Sequence, residues 1–114
     1  MDPSAHEFRA ARLNVLGFLS DPEAQRAFAT RVHYETYAPE FYSWWFEDFC
    51  PESAQFASAF SATELRRLQG FSETYIAADA ELPDRSLTID ELQSLPQWAR
   101  IVAAAKETFE AINE

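Results

Sequence analysis

The side chains best suited to holding a metal ion are the carboxylates of the segment 79–91. A calcium-binding loop of the helix–loop–helix type needs oxygen ligands at alternating positions and a glycine at its sharp turn. If Asp79 were the first ligand, Pro83 would occupy a ligand position and Asp84 the glycine position. The spacing therefore predicts a solvated acidic loop over residues 79–86 and no calcium site.

Nitrogen and sulfur ligands are few. His6, His33 and Cys50 are the only histidine and cysteine residues, and none has the short spacing of a zinc or di-iron motif. Cys50 follows Phe49 in an aromatic and acidic neighbourhood, which predicts a buried or half-buried, inert thiol with a raised pKa. The chain has two glycines, too few for a phosphate-binding loop. We therefore predict no metal, no cofactor and no enzymatic activity.

The most distinctive pattern combines aromatic and acidic residues in the segment 39–49, where six of eleven residues are aromatic and three are acidic. A helix advances about 100° per residue, so most of these rings fall on one wide face. Glu40 and Glu47 fall on a narrow stripe, and Trp44 lies between that stripe and Asp48. A wide apolar face is typical of a core, whereas a Trp among carboxylates is typical of an interface anchor. We predict that this helix serves both purposes.

The net charge is −10, from 19 acidic and 9 basic residues. A field of this sign repels nucleic acid and anionic membranes and favours a basic partner. For any single acid, simple solvation is the favoured interpretation, whereas the acids taken together favour a basic protein partner. The predicted partner-binding residues are Glu40, Trp44, Glu47, Asp48, Glu52, Asp79, Glu81, Asp84, Asp90 and Glu91.

The elements that must position these residues are helices. Strand patterns are nearly absent, and five prolines (Pro3, Pro22, Pro39, Pro51 and Pro96) stand where helical patterns begin. The sequence predicts a compact all-α domain over 1–114 with five to seven helices. The expected helices cover about 4–19, 22–37, 39–49, a short one carrying Phe56 and Phe60, 61–78, 88–94 and 96–112, with capping boxes at Ser61–Glu64 and Thr88–Glu91.

Compartment follows from three absences in the sequence. A single cysteine cannot form an internal disulfide, which fits a reducing compartment. Arg9 and Arg12 interrupt the first apolar residues, so no secretory signal is expected. No apolar run has the length of a membrane span. We expect a cytoplasmic protein.

With these segments identified, the chain resembles the small acidic immunity proteins of bacterial contact-dependent growth inhibition systems. The resemblance covers about the second two-thirds of the chain. It rests on the segment 41–49, the Phe-rich stretch after it, the helix containing 64–68, and the segment 95–101 (Leu-Pro-Gln-Trp-Ala-Arg-Ile). It implies a cytoplasmic antidote without catalytic residues, which binds the toxin domain delivered by a neighbouring cell, often a nuclease, and blocks its active site.

Three hypotheses for function follow. The first is 1:1 inhibition of a basic toxin domain, which predicts a monomer and a neighbouring toxin gene. The second is a self-associating scaffold or regulatory module with the aromatic helix as a homodimer seam, which Trp45 or Phe49 substitutions should disrupt. The third is a small enzyme or ligand-binding domain with an aromatic pocket, which a small molecule should stabilise against heat.

Overall fold

Helices account for all of the regular structure in the computed structural model, which describes residues 2–33, 36–83 and 86–113. Across these residues there are seven helices and no strand. They are α1 (Pro3–Leu19), α2 (Pro22–Arg31), α3 (Tyr37–Phe46), α4 (Ala54–Ala59), α5 (Ala62–Ala80), α6 (Ile89–Gln93) and α7 (Pro96–Ile112). They pack into one globule, so the predicted all-α fold is confirmed.

The helix starts follow from capping side chains. Asp2, Asp21 and Ser53 accept hydrogen bonds from backbone N–H groups in the first turns of α1, α2 and α4. Both predicted capping boxes form, with Ser61 and Glu64 at α5 and with Thr88 and Glu91 at α6. These contacts satisfy N–H groups that have no partner within the helix, which fixes where each helix begins.

Prolines mark the helix starts less regularly than the sequence predicts. Pro3, Pro22 and Pro96 each stand at the start of a helix. Pro39 is the third residue of α3, where a missing N–H also costs nothing, and Pro51 lies in a turn before α4. A proline therefore locates the first turn of a helix, but it does not locate the first residue.

Near α3, two helices end earlier than the sequence predicts. The second helix ends at Arg31 instead of continuing to Tyr37, because Val32 is extended (φ −131°, ψ 117°) and Tyr37 belongs to the buried face of α3. The aromatic helix ends at Phe46 instead of Phe49, and the chain then turns toward α4.

The fifth helix runs further than predicted. Asp79 lies in its last turn and is only 6% exposed, so the prediction that an acidic surface loop begins there is wrong. The physical reason is periodicity, since Ser72, Tyr75 and Asp79 recur at helical spacing and all three are buried. An acid at the inner face of a helix is indistinguishable by composition from an acid in a loop.

The core is aromatic and centres on α3, α5 and α7. Phe41 and Trp45 of α3 are fully buried, and Trp45 contacts the ring of Phe71 of α5 at 5.3 Å. Its indole N–H donates to the Ser72 hydroxyl at 2.9 Å, which satisfies a buried donor. The most extensive packing between helices joins α5 with α7 and α1 with α7. The aromatic helix packs against α1, α2, α5 and α7, whose rings contact Phe41 or Trp45.

Candidate partner-binding cleft

A cleft of about 610 Å³ lies between α1 and the chain that runs from the end of α3 into α4. We call it the α1–α3 cleft. Its lining residues are Phe8, Ala11, Arg12, Val15, Trp44, Glu47, Asp48, Cys50, Ser53, Gln55 and Phe56. Its size falls in the range of protein ligand pockets, about 300–1,000 Å³. Three of the predicted partner-binding residues are thus brought together in one concave surface.

Trp44 forms one wall of the cleft and is half-buried. Its ring packs against Phe18, Phe28 and Phe41 with centroid distances of 5.4, 4.9 and 5.2 Å. These contacts fix the indole, because three aromatic neighbours leave it little rotational freedom. Trp44 is therefore part of the packing and part of the cleft surface at the same time.

Glu47 and Asp48 occupy the turn that follows α3, and both are exposed. The Ser43 hydroxyl donates to a Glu47 carboxylate oxygen at 3.4 Å, a long contact on the same helix face. The turn itself is defined by a backbone hydrogen bond from the Phe49 N–H to the Phe46 carbonyl. These two carboxylates are consequently presented to solvent beside the Trp44 ring.

Arg12 is the cleft residue that sequence reasoning missed. Its side chain is only 4% exposed, and its guanidinium carbon lies 4.4 Å from the Trp45 ring centroid. Nη2 donates to the Trp45 carbonyl, which is one of the last carbonyls of α3. A positive charge at this position also interacts favourably with the negative end of the α3 dipole. Arg12 shares a helix face with the apolar residues Phe8 and Leu16, each four positions away, and this spacing could have indicated its burial.

Burial has a cost for this guanidinium. Desolvation lowers the pKa of Arg12 from its usual value, and the negative charge of Asp48 opposes that shift. Nε is buried and has no acceptor among the described residues. The structure therefore places a charged and incompletely hydrogen-bonded side chain in the lining of the cleft.

Cys50 lies at the cleft edge and is exposed, so the expectation of a buried or half-buried thiol is wrong. Its thiol donates to a Glu52 carboxylate oxygen at 3.2 Å, and this hydrogen bond raises the pKa of Cys50. The direction of the predicted pKa shift is confirmed, but its main cause is a neighbouring carboxylate and not burial. A protonated thiol is a weak nucleophile. Glu52 is connected with the cleft through this contact.

The remaining predicted residues do not join the cleft lining. Glu81 forms an ion pair with Arg100 at 3.2 Å, and Asp90 forms one with Arg26 at 3.5 Å. Both belong to a different part of the fold, at the end of α5 and on α6. The acids over 79–91 therefore form no shared surface with the cleft in the described part of the chain.

Four further predicted residues have separate locations. Glu91 caps α6, and Glu40 is half-buried in the first turn of α3. Asp79 is buried in α5, so its prediction as a contact residue fails in this structure. Asp84 lies outside the described residues.

No candidate metal centre accompanies the cleft, since the described residues contain no group of three or more His, Cys, Asp or Glu side chains that could hold an ion. None of the described helices is long and apolar enough to cross a membrane. Comparisons of the chain with protein-family models, curated proteins and solved structures give no match. The function is therefore argued from the geometry and charge of the α1–α3 cleft.

Proposed function

We propose that this protein is a cytoplasmic immunity protein, which binds a cognate basic toxin domain in a 1:1 complex and occludes its active site. The observation that carries the proposal is the joint placement of Trp44, Glu47 and Asp48 in one cleft of a protein with a net charge of −10. This combination of an aromatic anchor with exposed carboxylates suits a basic partner.

A nuclease is the favoured type of toxin. Its active site is basic because it must hold phosphates, and a rigid carboxylate-bearing surface competes for the same positive groups. Opposite net charges also accelerate association, by roughly 10–1,000-fold for steered encounters. An antidote that must act before its toxin cleaves nucleic acid benefits directly from this acceleration.

Self-association through the aromatic helix has less support from the geometry. Trp45 is fully buried and cannot contribute to a homodimer seam without unfolding. Among the described residues, Ile76 is the only large hydrophobic side chain that is largely exposed, at 49%, and it lies on α5. Stable homodimers bury extended apolar surfaces, which α3 does not offer. This favours a monomer that binds a partner of opposite charge.

The proposal is tested by co-expressing this protein with the C-terminal domain of the protein encoded immediately upstream. We expect a stable 1:1 complex in size-exclusion chromatography with light scattering, and toxicity when the upstream domain is expressed alone. Absence of a complex, together with a homodimer of this chain, would instead support the self-associating module. The third hypothesis would gain support if a small molecule raised the melting temperature while no protein partner bound.

A further inference from the structure

The charged groups in the α1–α3 cleft do not balance. Its lining contains two carboxylates, Glu47 and Asp48, and one guanidinium, Arg12. The Cys50 thiol adds no charge, because its hydrogen bond to Glu52 raises its pKa. One negative charge therefore remains among the lining residues, and the exposed Glu52 beside Cys50 adds another, so the occupant that complements the cleft is a cation.

Arg12 adds a second and independent requirement. The side chain is 4% exposed and lines the cleft, and among the described residues its only hydrogen-bond acceptor is the Trp45 carbonyl. Its Nε has no acceptor among the described residues. A guanidinium has five N–H donors, so an occupant that brings an oxygen acceptor to the part of Arg12 that lines the cleft gains a hydrogen bond there. The occupant must carry both a positive charge and an acceptor oxygen.

The wall of the cleft supplies a third requirement. Trp44 is held by the rings of Phe18, Phe28 and Phe41 and contributes its remaining surface to the cleft. A guanidinium stacks on an indole better than an ammonium does, because it is planar and more weakly hydrated. It also pairs with a carboxylate through two parallel hydrogen bonds.

We propose that the α1–α3 cleft receives an arginine residue from the surface of the partner. The guanidinium of that arginine pairs with Glu47 and Asp48 and stacks on Trp44, and a main-chain carbonyl of the same segment accepts a hydrogen bond from Arg12. This inference rests on the proposed function for the identity of the partner. A nuclease surface that binds phosphates is rich in arginine, which makes such a residue available.

The probe is the blocked tripeptide acetyl-Gly-Arg-Gly-amide, added to the ¹⁵N-labelled protein and followed by two-dimensional NMR. The control peptide replaces arginine with citrulline, which keeps the shape and removes the charge. The Trp44 indole resonance is identified by comparison with the Trp44→Phe variant. We expect saturable shifts at the Trp44 indole with a dissociation constant near 1 mM, and at least about tenfold weaker binding of the citrulline peptide.

Two variants locate the site. The double variant Glu47→Gln with Asp48→Asn should weaken binding of the arginine peptide about tenfold or more. Glu107→Gln should leave its affinity unchanged, because Glu107 lines a separate groove beside Gly70 and Phe71. Equal binding of both peptides, or shifts centred on that groove, would overturn the inference.

Failure of this inference can be told apart from failure of the proposed function. If the upstream toxin domain forms a complex but the arginine peptide does not bind, the cleft proposal is wrong and the immunity function stands. If the peptide binds the cleft but no toxin complex forms, the arginine site is supported and the immunity function is wrong.

Discussion

Trp44 and Trp45 are neighbours in the chain but lie in different environments. Trp45 is fully buried, stacks on Phe49 at 5.4 Å and donates to Ser72. Trp44 is half-buried and borders the α1–α3 cleft. One residue step rotates the side chain by about 100°, which is enough to move it from the core to a binding surface. A single helix therefore contributes one tryptophan to the core and the next one to the binding surface.

This arrangement has a consequence for binding. The carboxylates Glu47 and Asp48 directly follow the last residue of α3, and that helix is fixed by the burial of Phe41 and Trp45. A site on a rigid element loses less conformational entropy on binding than a site on a loose loop. We expect the cleft to be largely preformed before a partner binds.

The largest expected effect is a difference in stability between variants of the two tryptophans. Trp45→Ala should lower the free energy of unfolding by about 3–5 kcal/mol, since it leaves a cavity and removes the indole N–H that donates to Ser72. Trp44→Ala should lower it by only about 1–2 kcal/mol, because part of its ring already faces solvent. Denaturant unfolding monitored by circular dichroism measures both. Equal losses would show that Trp44 is as much a core residue as Trp45.

The next effect concerns the complex. The double variant Trp44→Ala with Glu47→Lys should keep its helical circular dichroism spectrum and lose about 2–4 kcal/mol of affinity for the toxin domain. It combines the loss of an aromatic anchor with a charge reversal. Glu107→Lys is the matched control and should bind almost normally. Loss of the fold in the double variant would contradict our assignment of Trp44 to the binding surface.

A smaller effect distinguishes acids that stabilise the fold from acids that face the cleft. Arg9 binds Glu64 through two hydrogen bonds of 2.9 Å and holds the pKa of Glu64 at about 2, below its usual 4.5. Side-chain exposures of 24% and 22% reduce the stabilisation through solvent screening to about 1 kcal/mol. Glu64→Gln should lose that amount at neutral pH, whereas Glu47→Gln should change stability by less than about 0.5 kcal/mol.

The sign of the pH dependence follows from the lowered pKa. The Glu64 contribution is fully present above pH 4.5 and disappears as the pH falls toward 2, because protonation removes the charge that Arg9 binds. The difference in unfolding free energy between Glu64→Gln and the unsubstituted protein should shrink across that interval. A difference that stays constant from pH 7 to pH 2 would show that the ion pair does not cause it.

The smallest effect provides a more stable background for the cleft variants. Gly70 lies within α5, and an added Cβ would meet no atom within 4 Å. Gly70→Ala should stabilise the protein by about 0.5–1 kcal/mol through reduced backbone entropy in the unfolded chain. Gly17→Ala should gain less, because its Cβ would lie 3.2 Å from the Phe109 ring. Thermal unfolding of the two variants tests this ranking.

Local patterns in the sequence predicted the fold class and most helix starts. The capping boxes at Ser61 and Thr88 depend on contacts within four residues, so they could be recognised without knowledge of the tertiary structure. The end of the second helix could not be predicted from local patterns, because the break at Val32 depends on where Tyr37 is buried. Composition alone also failed for Asp79, whose burial is set by the packing of α5.

The cleft was only partly predictable. Its aromatic and acidic members lie within a few residues of one another, so Trp44, Glu47 and Asp48 could be grouped from the sequence. Arg12 comes from a helix more than thirty positions earlier, and its contact with the Trp45 carbonyl exists only after α1 packs against α3. Sites assembled across helices depend on tertiary packing, which periodicity does not specify.

The buried side chain of Gln25 links the end of α1 with α6 and α7. Its amide donates to the Phe18 and Leu19 carbonyls and accepts from the Trp98 indole and the Gln93 amide, at distances of 2.9–3.1 Å. The bond from the Trp98 indole is the one among these four that reaches α7, and it breaks if α7 separates from α2. The Trp98 indole hydrogen should therefore exchange with deuterium only through nearly global opening, which makes it a single-site reporter of folding cooperativity.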